Sequence, residues 1–218
     1  SDFTAAIFAN VLQADEVSIW KDVPGLMNCD PNIFDQAVKL HQISYHEAIE
    51  LAFYGASVIH PKTIQPLQQK SIPLKVRAFY KPESEPSLIS GDTSHDSEVH
   101  KIIVKDKQLL LSIGSKNLSF IAEENLTGIF KAFSKHKIHI NLMQNSAVSF
   151  SVCFNEDEDK LKALMTDLKG DYFLKYNTGL QLITIRHYTD KVVSELTHDK
   201  KIFLEQKSRA TIQLLVRG

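Results

Sequence analysis

Between residues 107 and 177 the apolar side chains change period in an order that leaves few folds open. Leu109, Leu111 and Ile113 alternate, as one face of a strand does. Leu126, Ile129, Phe130 and Phe133 then recur at i, i+3, i+4 and i+7, which is one face of a helix. Burying those four side chains contributes about 1.5–3 kcal/mol each. Ile138, Ile140 and Leu142 alternate next, and Val148, Phe150, Val152 and Phe154 alternate strictly against Ala147, Ser149, Ser151 and Cys153. Leu161, Leu164, Met165 and Leu168 return to helical spacing, and a strand in 172–177 closes the series. The order β-α-β-β-α-β predicts a ferredoxin-like unit. A shorter round follows over 178–218: a strand at 180–185, a helix at 191–200, and a hairpin of 202–206 with 211–216 across Lys207-Ser208-Arg209. This second unit lacks its last helix and strand and is read as truncated.

Residues 1–80 follow another rule. Helix 2–14, strand 17–20, a helix from Ser44 to about Gly55, a helix from Pro61 to about Lys70 and a strand at 72–80 alternate along the chain. That alternation predicts an α/β layer with a largely parallel sheet. Ser44 followed by Glu47 has the spacing of a capping box. Residues 81–98 are rich in Pro, Ser, Gly and acids and predict a linker. The expected architecture is α/β plus α+β: an α/β part at 1–80, the linker at 81–98, and two ferredoxin-like units over 99–218, the first at about 107–177 and the second truncated.

Composition narrows the function. A net charge of −1 with scattered basic residues argues against a nucleic-acid surface. Apolar runs fall short of the roughly 20 residues a bilayer needs, so no membrane partner is expected. Ser1-Asp2 opens directly into a helix and does not read as a signal peptide. Cys29 and Cys153, far apart in sequence, suggest a reducing, cytoplasmic setting and no disulfide framework. Zinc-binding spacings do not occur, and the nine histidines form no set, so no metal site is expected. His60, before Pro61, reads as a turn residue and not a base.

The run Ser1-Asp2-Phe3-Thr4-Ala5-Ala6, then Trp20-Lys21-Asp22-Val23-Pro24-Gly25, Asp30-Pro31, Gly55-Ala56 and Val58-Ile59-His60-Pro61 closely resembles the C-terminal half of the kinase domain of aspartate kinases. Two ferredoxin-like units behind it resemble the tandem ACT domains of the monofunctional members. Related amino-acid kinases such as glutamate 5-kinase or uridylate kinase lack that pair. The resemblance implies an enzyme that uses ATP, with Mg²⁺, to phosphorylate L-aspartate to 4-phospho-L-aspartate in lysine, threonine and methionine biosynthesis. It implies feedback by an amino acid, lysine or threonine, and a homodimer formed through the ACT units. Because the chain opens at the Ser-Asp pair, it is expected to be a fragment without the family's glycine-rich segment and catalytic lysine, inactive alone. The alternative is a stand-alone amino-acid sensor without chemistry; a Lys-Phe-Gly-Gly-type segment upstream of Ser1 would discriminate the two.

The resemblance also assigns residues. Asp2 would be the catalytic-site carboxylate that holds the substrate ammonium, with Ser1 beside it. Ser-Asp before an apolar helix is equally a common N-cap. Lys21, Asp22, Gly25, Ser57 and Val58 would bind nucleotide, the last two through backbone groups. Asn125, Leu126, Ile140, Asn141, Asn145 and Ser146 would hold the effector, although amides at such places also cap turns. Five positions depart from the family pattern. Met27 stands for Tyr, Asn32 for Arg and Ser57 for Lys near the nucleotide, where Lys21 and Lys62 could supply charge. Asn141 and Ala147 stand where the lysine pocket has acids, which weakens the expectation of lysine as effector.

Overall fold

The computed structural model describes every residue except Ser57 and Leu118. It forms two compact units, one of residues 1–103, 184–193 and 209–211, the other of 104–183, 194–208 and 212–218.

The first unit contains α1 (Asp2–Leu12), β1 (Val17–Lys21), β2 (Gln42–Ser44), α2 (Tyr45–Tyr54), α3 (Pro61–Gln68), β3 (Leu74–Ala78) and β4 (Ser87–Ser90). Its sheet runs β1-β3-β4-β2. β1 is parallel to β3 and β2 to β4, but β3 and β4 are antiparallel, so the sheet is mixed and not largely parallel. The expectation that misses most is the linker. Within 81–98, Ser87 and Ile89 are completely buried and β4 lies between β3 and β2. A four-residue strand with two apolar residues has almost no period of its own; its two neighbours define it. The core joins Ala6 and Ala9 of α1, Val17 and Ile19 of β1, Ile64 and Leu67 of α3, and Leu74 and Val76 of β3. Pro61 opens α3, and His60 caps it: Nδ1 accepts from Lys62 N–H at 3.1 Å. His60 is thus a turn residue, as its place before Pro61 suggested.

The second unit is built on β5 (Lys101–Ser115), α4 (Glu123–Lys135), β6 (Ile140–Asn145), β7 (Ser149–Asn155), α5 (Glu158–Leu168), β8 (Tyr172–Arg186), α6 (Asp190–Thr197), β9 (Lys201–Lys207) and β10 (Thr211–Arg217). The strands form one sheet in the order β6-β7-β5-β8-β10-β9. Its first four members and α4 and α5 keep the β-α-β-β-α-β order read from the periods. Ile129 and Phe133 of α4 and Leu161, Leu164 and Leu168 of α5 pack on Leu109, Leu111, Ile113, Phe150, Val152 and Phe154. The opposite face carries Leu110, Leu142, Cys153, Leu182 and Leu215. The strands expected at 172–177 and 180–185 are a single strand, β8. Gly179 lies within it at φ 64°, a left-handed conformation that costs glycine little. Both cysteines are free and buried, and burial pushes the Cys153 thiol up to about 12.

Within the first unit, α2 starts differently from the expected capping box. Ser44 Oγ accepts from Glu47 N–H at 3.0 Å, but Ser44 N–H donates to Asp96 Oδ1 at 2.8 Å, not to Glu47. The Glu47 side chain is instead buried at 1% exposure. It meets Arg186 Nη2, Lys101 Nζ at 3.5 Å and His187 Nε2 at 3.2 Å. Arg186 Nη1 also reaches Glu50 at 3.1 Å and donates to Thr211 Oγ1 at 2.9 Å. Burial by itself would raise the Glu47 carboxyl; the Arg186 hydrogen bond and the charges of Lys101, Arg186 and His187 outweigh it and hold the group below its ordinary 4.5. A folded-state value below the unfolded one means stability present above about pH 4.5 and lost as pH falls through the folded value. The melting temperature is therefore expected to drop between about pH 6 and about pH 3, and to drop less in Glu47→Gln. Parallel melts of the two proteins across that range check it; equal slopes would remove Glu47 as a source of the acid sensitivity.

Candidate functional site

In the first unit the chain direction brings the start of α1 to the carboxyl end of β1, where open α/β sheets hold ligands. Asp2 and Lys21 meet there, Lys21 Nζ donating to Asp2 Oδ2 at 2.6 Å, each about a quarter exposed. Ser1 occupies the N-cap position of α1, but its side chain caps nothing. A partly exposed carboxylate held by a lysine can exchange that partner for a substrate ammonium. Trp20, 45% exposed, lies beside the pair in sequence, and the Arg77 guanidinium sits 5.7 Å from its ring centroid. Asp22 is exposed just beyond the strand.

The turn after β1 is closely packed. Gly25 is at φ 143°, and a Cβ there would lie 2.5 Å from Ser87 Oγ. The same hydroxyl accepts from Leu26 N–H at 2.9 Å, so β4 fixes this turn. Beyond it, buried Asn28 accepts from Val38 N–H at 2.8 Å and donates to the His100 carbonyl at 3.3 Å. Asp30 Oδ1 accepts from both the backbone and side-chain N–H of Asn32 at 2.9 Å, an Asx turn. Asn32 thus fills a turn where the family has a cation, and Met27 bridges Lys39 through the backbone. Val58 packs on the hydrophobic core, and Ser57 lies outside the described residues.

The six effector positions all lie in the second unit. Asn125 is at the start of α4, where Oδ1 accepts from Ala122 N–H at 3.2 Å and Nδ2 donates to Tyr172 Oη at 3.3 Å. Leu126 and Ile140 pack on the core beneath the helices. Asn145 ends β6, and Ser146 N–H donates to the Ser149 carbonyl at 2.8 Å. Asn141 differs. The β6–β7 register slips between Ile140 and Leu142; Ile140 packs under the helices, and Asn141, next along the strand, faces away from α4. There it accepts from Lys105 Nζ at 3.0 Å and donates to Gln108 Oε1 and Asn155 Oδ1, both at 2.8 Å. Burial lowers the Lys105 ammonium from its ordinary value.

Sequence reasoning missed Asn28 and the Glu47 cluster. Asn28 sits between Met27 and Cys29 with no motif to mark it. Lys101 and Arg186 flank apolar strands, a weak signal for buried charge, and neither names its partner.

The model of the amino acid kinase family matches residues 1–78. The chain is 29% identical to the lysine-sensitive aspartokinase 3 of Escherichia coli K12 over 196 residues, 85% of this chain and 42% of that protein. It is 34% identical to the bifunctional aspartokinase/homoserine dehydrogenase of Haemophilus influenzae over 181 residues, 81% of this chain and 22% of that one. E. coli aspartokinase III with lysine and aspartate, in the T-state, superimposes with a TM-score of 0.83 at 26% identity, covering 100% of this chain and 52% of the other. The R-state with aspartate and ADP gives 0.81 at 25%, with the same coverage. The chain is similar to these aspartokinases over most of its own length and spans less than half of each.

Alanine at Gly25 is expected to lower stability by about 1–3 kcal/mol, since the added Cβ collides with Ser87 at a strained φ. Urea denaturation of Gly25→Ala and of Gly25→Ala/Ser87→Ala separates the two causes: relief in the double variant identifies the collision.

Proposed function

We propose that the first unit is part of the catalytic domain of an aspartate kinase, ATP-dependent and Mg²⁺-assisted, and that the second is its tandem ACT regulatory module. The Asp2–Lys21 contact carries this reading. It joins a candidate substrate carboxylate to a candidate phosphate-binding cation at the carboxyl end of β1, within the segment that matches the kinase family. The described residues fit a magnesium nucleotide in kind: Asp22 offers an exposed carboxylate oxygen for a hard cation, and Lys21 offers a point charge for phosphate oxygens.

Asp2 holds the aspartate ammonium, and Ser1 supplies a hydroxyl to its carboxylate. Lys21, Asp22 and the Gly25 turn position the nucleotide, together with backbone groups at Ser57 and Val58. The side-chain carboxylate of L-aspartate attacks the γ-phosphorus, the bond to the β–γ bridging oxygen breaks, and ADP leaves. Positioning and charge neutralisation supply most of such a rate. In the second unit Asn125, Leu126, Ile140, Asn145 and Ser146 take an amino-acid effector, lysine or threonine; Asn141 would join them only if its side chain left the network with Lys105. Exposed Phe120, Phe173 and Tyr176 give a second copy an apolar surface to cover, so a homodimer through this unit is part of the proposal.

In the full-length protein, Asp2→Asn is expected to cut kcat/KM for aspartate at least about tenfold with little change in melting temperature. Lys21→Met is expected to act mainly through the KM for ATP. Aspartyl phosphate trapped as its hydroxamate gives both readouts; unchanged constants in both variants would return Asp2 and Lys21 to a surface ion pair.

Calorimetric titration tests the effector separately. With Asn141 and Ala147 where the lysine pocket has acids, lysine is expected to bind weakly, and Ala147→Glu to tighten it about five- to tenfold. Submicromolar lysine binding by the unsubstituted protein would overturn that expectation.

A further inference from the structure

Two strands of the six-stranded sheet have one end in the first unit: residues 101–103 of β5 and 184–186 of β8. The cations at those ends, Lys101 and Arg186, meet a single carboxylate, Glu47 of α2. Lys101 and Glu47 are each 1% exposed and Arg186 is 6% exposed. A charge group this buried resists displacement, because moving the carboxylate strips Lys101 and Arg186 of their shared partner where water compensates little. At the other end of α2, the Leu51 carbonyl accepts from Gly55 N–H at 3.1 Å and from Ala56 N–H at 2.9 Å. Glu47 and Leu51 are one helical turn apart, so the position of the first sets that of the second and of the backbone leaving the helix.

We propose that Glu47 is a positioning residue for nucleotide binding: it fixes α2 against the ends of β5 and β8, and α2 seats the backbone of Gly55 and Ala56 where the chain leaves the helix toward the candidate nucleotide segment. The proposal rests on the reading of that segment as nucleotide-binding. Glu47 touches no substrate; it acts through the helix. The side chains around it divide the work. Arg186 supplies two nitrogens to Glu47 and a third contact to Glu50, whereas Lys101 adds a single charge. Losing the Glu47 carboxylate therefore frees the β5 end from α2 and leaves the β8 end held through Glu50 alone, while losing Lys101 loosens only the β5 end.

Amide hydrogen exchange and steady-state kinetics on the full-length protein test this together. In Glu47→Gln, exchange at Gly55 and Ala56 is expected to quicken about tenfold relative to α3, and the KM for ATP to rise about tenfold while the KM for aspartate stays within about twofold. Glu47→Asp, which keeps the charge, is expected to recover part of both. If Glu47→Gln does not fold, Lys101→Met is read the same way and should show a smaller shift of the same sign. A lower melting temperature with unchanged exchange at Gly55 and Ala56 and an unchanged ATP KM would overturn the proposal and leave a structural ion cluster. The underlying reading fails differently: in the unsubstituted protein, added ATP would then leave exchange at 55–60 unaltered.

Discussion

The first unit is organised around one buried negative charge. Glu47 sits among Lys101, Arg186 and His187, and the carboxylate, the lysine and the arginine are all buried. Burying ions is costly, and an apolar cluster of similar volume is often as stable, so this arrangement is weak as a source of net stability. Its effect is on uniqueness. Breaking such a pair by removing one partner costs about 3–5 kcal/mol, so alternative seatings of α2 that leave Glu47 unpaired are excluded. Asp96 reinforces the choice: by taking the Ser44 N–H it leaves the Glu47 side chain to the cations, and the Asp96 carbonyl accepts from Lys101 as well.

How far the fold could be read from the chain depended on whether each element carries its own period. β7 and α5 do, because each has one buried face over its whole length. β4 does not. Ser-Leu-Ile-Ser offers two apolar residues after a Pro, and its strand character comes from β3 and β2 on either side. β8 is the opposite case: two short apolar stretches belong to one strand, which runs unbroken through Thr178 and Gly179 between β5 and β10. Residues 184–193 and 209–211 belong to the first unit although they lie more than eighty positions from most of it. No local pattern encodes that; it follows from where Arg186 and Thr211 find partners.

The candidate catalytic residues were legible only through resemblance. Asp2 alone reads as an N-cap, and Lys21 as the last residue of a strand. Their contact is produced by the antiparallel run of α1 against β1, which periodicity predicts only as an order of elements. Asn28 had no such route. Its value comes from reaching Val38 and His100, segments that sequence spacing does not bring together.

Asn141 lies at a one-residue irregularity that moves Leu142 to the other face of the sheet. In an unbroken strand it would alternate with Ile140 and Leu142, and both neighbours would share a face. Instead Ile140 packs under the helices while Leu142 packs on the opposite face, which requires the bulge between them. Asn141 shares the face of Leu142 and meets Gln108 and Asn155, themselves cross-strand partners there. Lys105 then brings a half-buried ammonium against the Asn141 carbonyl. A carboxylate at 141 would pair with that lysine before it paired with a ligand, so the amide is the side chain that leaves the local charge unchanged.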